Sequence, residues 1–448
     1  MNTNDKTVGY PWRFIARIVL EADTPLAVGN GEKDIMTDAL VAKDMNGLPF
    51  IPGTSIAGVI RHSLDDDTDN EDSIFGFHKG KKLAGSKIIF SDAVMIGKDG
   101  KALDGIQSVD FSDDFYNHFA NLPIRQHVCI NEFGTAKGSG KFDGQVVYKG
   151  TRFVFEIELV SKVDDGDLFN KIIDQLNYPT FRLGGGTHNG LGKIKVISVQ
   201  QSSYHLKVKE QLDSYLSKSS CLRDEWKIDK VETKSLDREG WIKYEMVLKP
   251  VDFFLFGSGM GDEDADDTQV VESIITWEKD KSDHEIEKPT FKDKCILVPG
   301  SSVKGALAHR TAYYWNKEQE RFADDDFSKI KNIPNEAVNA IFGCGEDGNG
   351  NMLSGNFLID DMLGEPAPGK IFNHVKIDRF AGGALAGALF TEKVTDARNL
   401  QFSLTILVKA EEKYRKAFEL ALNDLKNGLL PLGGSTNRGM GMFNEVKV

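Results

Sequence analysis

The stretch IPGTSIAGVIRHSL at residues 51–64 recurs as VPGSSVKGALAHRT at 298–311. Five of the fourteen positions are identical at an offset of 247: Pro52/Pro299, Gly53/Gly300, Ser55/Ser302, Gly58/Gly305 and His62/His309. Both copies read the same way. An apolar strand end meets Pro-Gly, which forces a turn, and a hydroxyl residue then N-caps a helix. Ile56, Val59, Ile60 and Leu64 fall on one helical face. A glycine in the first turns costs about 1 kcal/mol relative to alanine, so Gly58 and Gly305 predict close approach by a backbone or a ligand. A glycine-bearing, hydroxyl-rich helix start is a ready anion site.

Further landmarks repeat in the same order. Strands 13–21 and 241–249 run into Gly29-Asn30-Gly31 and Gly257-Ser258-Gly259. After the helices come Ile74-Phe75-Gly76 and Ile341-Phe342-Gly343, then apolar strands ending in an acid at 86–93 and 355–361. His127-Val128 with Ile130-Asn131-Glu132-Phe133 matches His374-Val375 with Ile377-Asp378-Arg379-Phe380. Strands at 153–160 and 400–408 and helices at 166–176 and 410–427 lead to two closing runs, LGGGTHNGLG (183–192) and LGGSTNRGMG (432–441). Six ordered landmarks mean a duplication. The expected class is α+β, with two tandem ferredoxin-like (RRM-like) units at 1–199 and 239–448. Residues 200–238 read as a linker with one helix near 206–217.

Net charge is −13, which at first sight argues against a nucleic-acid partner. Residues 65–72 carry six acids, and 257–290 carry eleven acids against three bases. Without these two stretches (−6 and −8) the remainder is −13 + 14 = +1. Both stretches read as solvated loops, so total charge does not decide the partner. There is no run of eighteen apolar residues and no visible signal peptide. Cys129, Cys221, Cys295 and Cys344 lie too far apart for a zinc knuckle or a disulfide framework. A reducing cytoplasm is the simplest expectation.

The closing runs cannot form regular helix or strand, and their free N–H groups suit a phosphate backbone. Thr187, His188 and Asn189 in the first, and Ser435, Thr436, Asn437 and Arg438 in the second, add side-chain contacts. GCGEDG (343–348) matches GxGxxG, but Glu346 and Asp347 would repel a pyrophosphate. Asp262, Asp264 and Asp266 resemble an EF-hand start, yet the loop lacks its glycine and final glutamate. His62 and His309 read as packed or capping side chains. Asp34, Asp38 and Asp44, in the loop at 32–50, are the acids placed for chemistry.

The helix-start motif, the Ile377-Asp378-Arg379-Phe380 segment leading to GGALAGALF, and the closing loop together resemble the RAMP superfamily of CRISPR proteins. The likeness covers both halves. It is nearest to the tandem backbone subunits of type III effectors, subtype III-D in particular. The resemblance implies two tandem RAMP domains with thumb and loop insertions. Their palms hold guide RNA, and hairpin thumbs near 124–150 and 371–397 pass through the guide–target duplex at regular intervals. It also implies partners: guide RNA, target RNA, other RAMP subunits and a large polymerase/cyclase-like subunit.

In relatives, target RNA is cut beside each thumb with an aspartate that precedes a short apolar strand, as D-x-P-V-I-x-D. Asp38 matches that position, with Leu40 in place of proline. In the second copy Asp267 and Glu272 both fit. The resemblance implies a divalent cation, Mg²⁺, as cofactor. The implied RNA contacts at the helices and thumb are Thr54, Ser55, Arg61, Ser301, Ser302, Lys304, Arg310 and Arg379. Those of the closing loops are Gly184, Gly185, Gly186, Thr187, His188 and Asn189, then Gly433, Gly434, Ser435, Thr436, Asn437 and Arg438. A catalytically inactive scaffold, or a guide-processing endoribonuclease using His62 as base, are the other readings of the same sequence.

Overall fold

The computed structural model describes residues 9–35, 37–64, 68–130, 136–279, 287–322, 334–344, 353–396 and 398–446. The chain is α+β, with antiparallel sheets backed by helices. In the first half, strand Trp12–Ala22 buries Phe14, Ala16, Ile18, Leu20 and Ala22 on one face. That period-two pattern makes it a central strand. It pairs with Arg152–Ser161 on one side and Ile194–His205 on the other, and Ile88–Phe90 pairs beyond Arg152–Ser161. Helices Gly53–Ser63 and Gly166–Asp174 cover the apolar face with Ile56, Ile60, Phe169 and Ile172.

In the second half, Ile242–Pro250 lies between Phe402–Val408 and Phe443–Glu445, with Phe357–Ile359 outside Phe402–Val408. Helices Gly300–Glu318 and Glu412–Lys426 close its core around Val303, Leu307, Phe418 and Leu422. Numbered in order of appearance, the core strands of both sheets lie 4-1-3-2, which is the split βαβ order. Among the described residues no helix is long and apolar enough to cross a membrane.

Residues 206–231 do not hang free between the halves. Helix Lys209–Ser217 and the chain after it lie on the outer face of the first sheet, where Trp226 is buried with Ile15 and Tyr204. Arg17 is buried there, bonded to Glu156 (2.8 Å) and to the Asp224 carbonyl (2.5 Å). That sheet face is therefore covered, and the RRM manner of stacking bases on an open sheet is closed to the first half.

The acidic stretches are not plain loops. Helix Thr68–Phe75 takes up part of the first. Much of the second forms an arm, strands Val271–Lys279 and Glu287–Val298, that packs on the first half. Ile275 N–H donates to the Lys149 carbonyl (2.8 Å), and Trp277 Nε1 donates to the Gly150 carbonyl (2.8 Å). Phe291 stacks on His118 at 3.7 Å and joins the Phe115–Phe119–Tyr148 aromatic cluster. A Cβ at Gly150 would lie 2.0 Å from the Ile275 carbonyl oxygen, and φ there is +87°; only glycine fits.

Charge completes the junction. Arg125 is buried and donates to both oxygens of Glu272 and to Asp361 (2.6 Å). Burial opposes its charge, but Asp361 and Glu272 outweigh that and hold the guanidinium protonated. Arg182 and Lys193 both reach Asp360 at 2.8 Å, and Lys149 and Lys193 flank Asp23.

Removing one partner from a buried ion pair costs about 3–5 kcal/mol. Arg125→Ala is therefore expected to uncouple the halves and split one calorimetric transition into two; a single unshifted transition contradicts this. Asp23 gives the pH dependence. Burial would raise its pKa, but Lys149 and Lys193 bring it down to about 2, from 3.8. Its contribution is thus complete above about pH 4 and lost as pH falls towards 2. The urea midpoints of the wild type and Asp23→Asn should differ at pH 6, and the difference should shrink below pH 4 and vanish only near or below pH 2. A constant difference contradicts the assignment.

Candidate functional site

Two loops, one per half, present an aspartate against a thumb hairpin. The hairpins are Ile124–Ile130 with Ala136–Gln145, and Gly369–Ile377 with Ala384–Thr395. Hydrogen bonds fix the equivalence of the loops. Ala42 N–H donates to the Val28 carbonyl as Val270 N–H does to the Phe256 carbonyl, both at 2.8 Å. The Gly29–Val41 bridge matches the Gly257–Gln269 bridge. Counting back three residues, Asp38 corresponds to Asp266.

Both aspartates are exposed and held alike. Asp38 N–H donates to Asp143 Oδ1 (2.9 Å), and Asp143 N–H donates to Asp38 Oδ2 (3.1 Å). Asp266 N–H donates to Thr391 Oγ1 (2.9 Å), while Thr391 N–H and Oγ1–H donate to Asp266 Oδ2 (2.8 and 3.0 Å). Asp143 and Thr391 hold the same place on their thumbs, opposite Gln126 and Asn373.

The other two acids matched in the second half are placed differently. Asp267 stands where Ala39 does, with its carboxylate turned inward. A Cβ at Gly257 would lie 2.5 Å from Asp267 Oδ2, and Oδ1 is buried without a hydrogen-bond partner among the described residues. Burial pushes the Asp267 pKa up against the pull of the Thr268 and Gly259 amides. Glu272 is consumed by Arg125 at the junction. Its equivalent, Asp44, caps a turn by accepting the N–H groups of Asn46 (2.9 Å) and Leu48 (3.0 Å). Asp34 likewise accepts the Thr37 N–H in a local turn. Gln269 stands where the first half has Val41, so the apolar run of the second loop begins one position later.

The helix starts also differ from expectation. Pro52 and Pro299 are the N-cap residues, and neither helix has a side-chain cap of its own. The acids at the ends of the next strands supply it. Asp92 accepts the Gly53 N–H (2.8 Å), and Asp361 accepts the Gly300 N–H (2.7 Å). A carboxylate thus already meets the helix dipole, so the bare helix start is not a free anion site. Among the described residues, nothing beyond the helix's own backbone and chain neighbours lies within 4 Å of a Cβ built at Gly58 or Gly305, which leaves room for a ligand on that face. Thr54 and Ser302 are exposed, and Ser55 and Ser301 half-buried. His62 and His309 are exposed, so neither is a packed histidine.

The predicted cations are partly committed. Arg61 pairs with Asp72 (2.8 Å), and Arg310 binds the Leu429 carbonyl (3.0 Å) and Asp424 (3.4 Å). Lys304 contacts Asn189 Oδ1 at 3.2 Å, and burial lowers its pKa. Arg379 is exposed at the tip of the second thumb beside Phe380. Asp378 shapes that tip by accepting the Phe380 and Ala381 N–H groups (2.8 and 2.7 Å). Residues 131–133, matched to this tip, and 345–348 of the GxGxxG run lie outside the described residues.

Each closing loop is a short 3-10 turn, Thr187–Asn189 or Thr436–Arg438, between left-handed residues. Gly185 and Gly434 donate to the Ala27 and Leu255 carbonyls (2.8 and 2.7 Å). A Cβ at Gly184 or Gly433 would lie 2.6 or 2.4 Å from those same oxygens. Part of the glycine content is therefore structural. The first loop meets the second half: His188 Nδ1 contacts the Phe357 carbonyl (2.7 Å), and Gly190 bridges Asp360. The second is tied to its thumb, where Ser435 and Arg438 reach Glu392 (3.0 and 3.1 Å). Thr436 is half-buried and Asn437 exposed.

Both thumbs carry apolar side chains into solvent: Val128, Ile130 and Phe142 on the first, and Val375, Ile377, Phe380 and Leu389 on the second. His127 stacks on Phe142, and His374 on Phe390, both at 4.9 Å. Such exposed apolar ribbons suit insertion between bases. Among the described residues no three His, Cys, Asp or Glu side chains gather as a metal site.

No curated protein matches the chain. Residues 19–195 and 254–444 match the RAMP superfamily. The two segments take in most of the sequence, both thumbs, both aspartate loops and both closing loops, and the chain belongs to the RAMP superfamily.

Proposed function

We propose that this chain is a tandem RAMP backbone subunit of a type III CRISPR effector, of the III-D kind. It holds a guide–target duplex and cuts target RNA beside each thumb through Asp38 and Asp266. The carrying observation is the aspartate held at the base of each thumb by equivalent hydrogen bonds. Family membership supports an RNA-binding role in CRISPR defence. The proposal adds the two-domain arrangement, the subtype, the cleavage and the partners: guide RNA, target RNA, other RAMP subunits and a large polymerase/cyclase-like subunit.

Guide contact would fall on the face of each PG helix that Gly58 and Gly305 keep open, and on the closing loops. Ser55, Ser302 and the Thr436–Arg438 turn are the groups presented there. Contacts of this kind hold the phosphate backbone and carry no base code. The apolar thumbs part the stack at a cost of a few kcal/mol, roughly, per step. A nucleotide turned out of the stack can align its 2′-oxygen in line with the next phosphorus, which A-form stacking prevents. The aspartate takes the 2′-OH proton as the 2′-oxygen attacks. The P–O5′ bond breaks, and the leaving oxygen takes a proton from water. The products are a 2′,3′-cyclic phosphate and a 5′-OH.

Without a resident three-ligand site among the described residues, any Mg²⁺ in the reaction would be carried by RNA phosphates with one loop carboxylate. Held there, it would offset the negative charge that builds on the phosphate during the attack.

The test is cleavage of matched target by the reconstituted guide-loaded complex. Asp38→Ala should remove one product and Asp266→Ala another, while Asp267→Asn leaves both. An unchanged ladder in every variant would make the chain a non-cutting ruler. EDTA in place of Mg²⁺ should stop both cuts and leave target binding intact; cutting that persists in EDTA removes the cation from the account.

A further inference from the structure

We propose that Asp143 and Thr391 are positioning residues for Asp38 and Asp266, so that each cleavage site is assembled by its own thumb. This rests on the reading of the two loops given above.

The bonds divide into two sets. One oxygen of each aspartate accepts the thumb's main-chain N–H, at 3.1 Å from Asp143 and 2.8 Å from Thr391. The aspartate's own N–H is taken by the thumb side chain, Asp143 Oδ1 or Thr391 Oγ1, at 2.9 Å in both halves, and Asp266 shares its N–H with the Thr391 carbonyl at 3.0 Å. The thumb main chain aims the carboxylate, and the thumb side chain holds the loop in register. No described residue donates to the other oxygen of either aspartate, which leaves it facing outward to accept a proton.

The main chain beside each aspartate also meets its thumb: Gln145 N–H donates to the Ala39 carbonyl at 2.9 Å, and Asp267–Thr268 pairs in parallel with Glu392–Lys393. Residues 29–35 and Asp38–Ala39 are exposed, as are Gly259–Asp264 and Asp266. A carboxylate that wanders by an ångström loses about a hundredfold in rate, so a reacting group on an exposed loop needs a clasp. The clasp comes from the element that also enters the duplex, and a thumb out of place takes the aspartate with it.

The two clasps are not identical. Thr391 adds a hydroxyl donation to Asp266 Oδ2 at 3.0 Å. Asp143, as a carboxylate, can only accept. With the Thr391 carbonyl also accepting the Asp266 N–H, the second site is held by two bonds more than the first, and its dependence on the hydroxyl can be tested separately.

The experiment is single-turnover cleavage of matched target by the reconstituted complex, with each cut timed separately. Asp38→Ala and Asp266→Ala identify the bands, and target binding is measured in the same samples. Thr391→Val should slow the Asp266-dependent cut about tenfold and leave the other cut and target binding unchanged. Thr391→Ser should restore the rate to within about twofold. Asp143→Ala should slow only the Asp38-dependent cut, and Asp143→Asn, which keeps an acceptor oxygen, should restore it.

A Thr391→Val rate equal to wild type overturns the clasp, as does equal slowing by Thr391→Val and Thr391→Ser. If Asp38→Ala and Asp266→Ala themselves leave both cuts in place, the reading of the loops fails and the clasp falls with it. If they abolish the cuts while Thr391→Val does nothing, the clasp alone falls.

Discussion

Arg125 ties the molecule together. It rises from the base of the first thumb, is buried, and gives all its described side-chain hydrogen bonds to acids of the other half. A buried guanidinium survives only with matched, well-directed acceptors. Glu272 comes from the arm, and Asp361 from the strand end whose carboxylate also caps the Gly300–Glu318 helix. One cation therefore joins a thumb, an arm and a helix start. The spacing of the two thumbs is set by this packing and not by the connecting chain, which is spent on covering the first sheet.

The second half shows what happens where that interaction is absent. Thumb register places Phe372 where Arg125 stands, and Glu392 where Gly144 stands. Around Glu392 the donors have changed as well: Ser435 replaces Gly186, and Arg438 replaces Asn189. Glu392 collects both of them, with His374 at 2.9 Å and Arg438 lying over the Phe390 ring at 5.1 Å. The first closing loop is thus anchored to the other half, and the second to its own thumb. The same backbone turn is stabilised in two chemically unrelated ways. Loops with this much glycine need an external anchor, because their own backbone supplies few restraints.

Much of this architecture can be read in the sequence because duplicated periodicity leaves a pattern. The PG helices, the thumbs and the closing loops fall where repeated residues put them, and Ile56 and Ile60 face the core as their spacing requires. Local patterns miss what depends on distant partners. The cap of the Gly53 helix is Asp92, thirty-nine residues on, so the neighbouring hydroxyls looked like the cap. The acidic arm looked solvated because Trp277 and Phe291 find their apolar surroundings only on the other half. Asp266 is inconspicuous in the sequence because the polar Gln269 stands where the first copy has Val41, and only the backbone bonds show the register. Nothing local marks Asp143 or Thr391, since their role exists only once a thumb folds against a loop.

The central claim is that two in-line attacks by ribose hydroxyls occur, one beside each thumb. It is tested most directly by target RNAs carrying a single 2′-deoxy nucleotide, scanned along the duplex and cleaved by the reconstituted complex. The account predicts that two positions, separated by the thumb-to-thumb interval, each abolish one cut and leave the other at full rate. Cuts that persist with deoxyribose at every position would mean that the 2′-hydroxyl is not the nucleophile, and would contradict the roles given to Asp38 and Asp266.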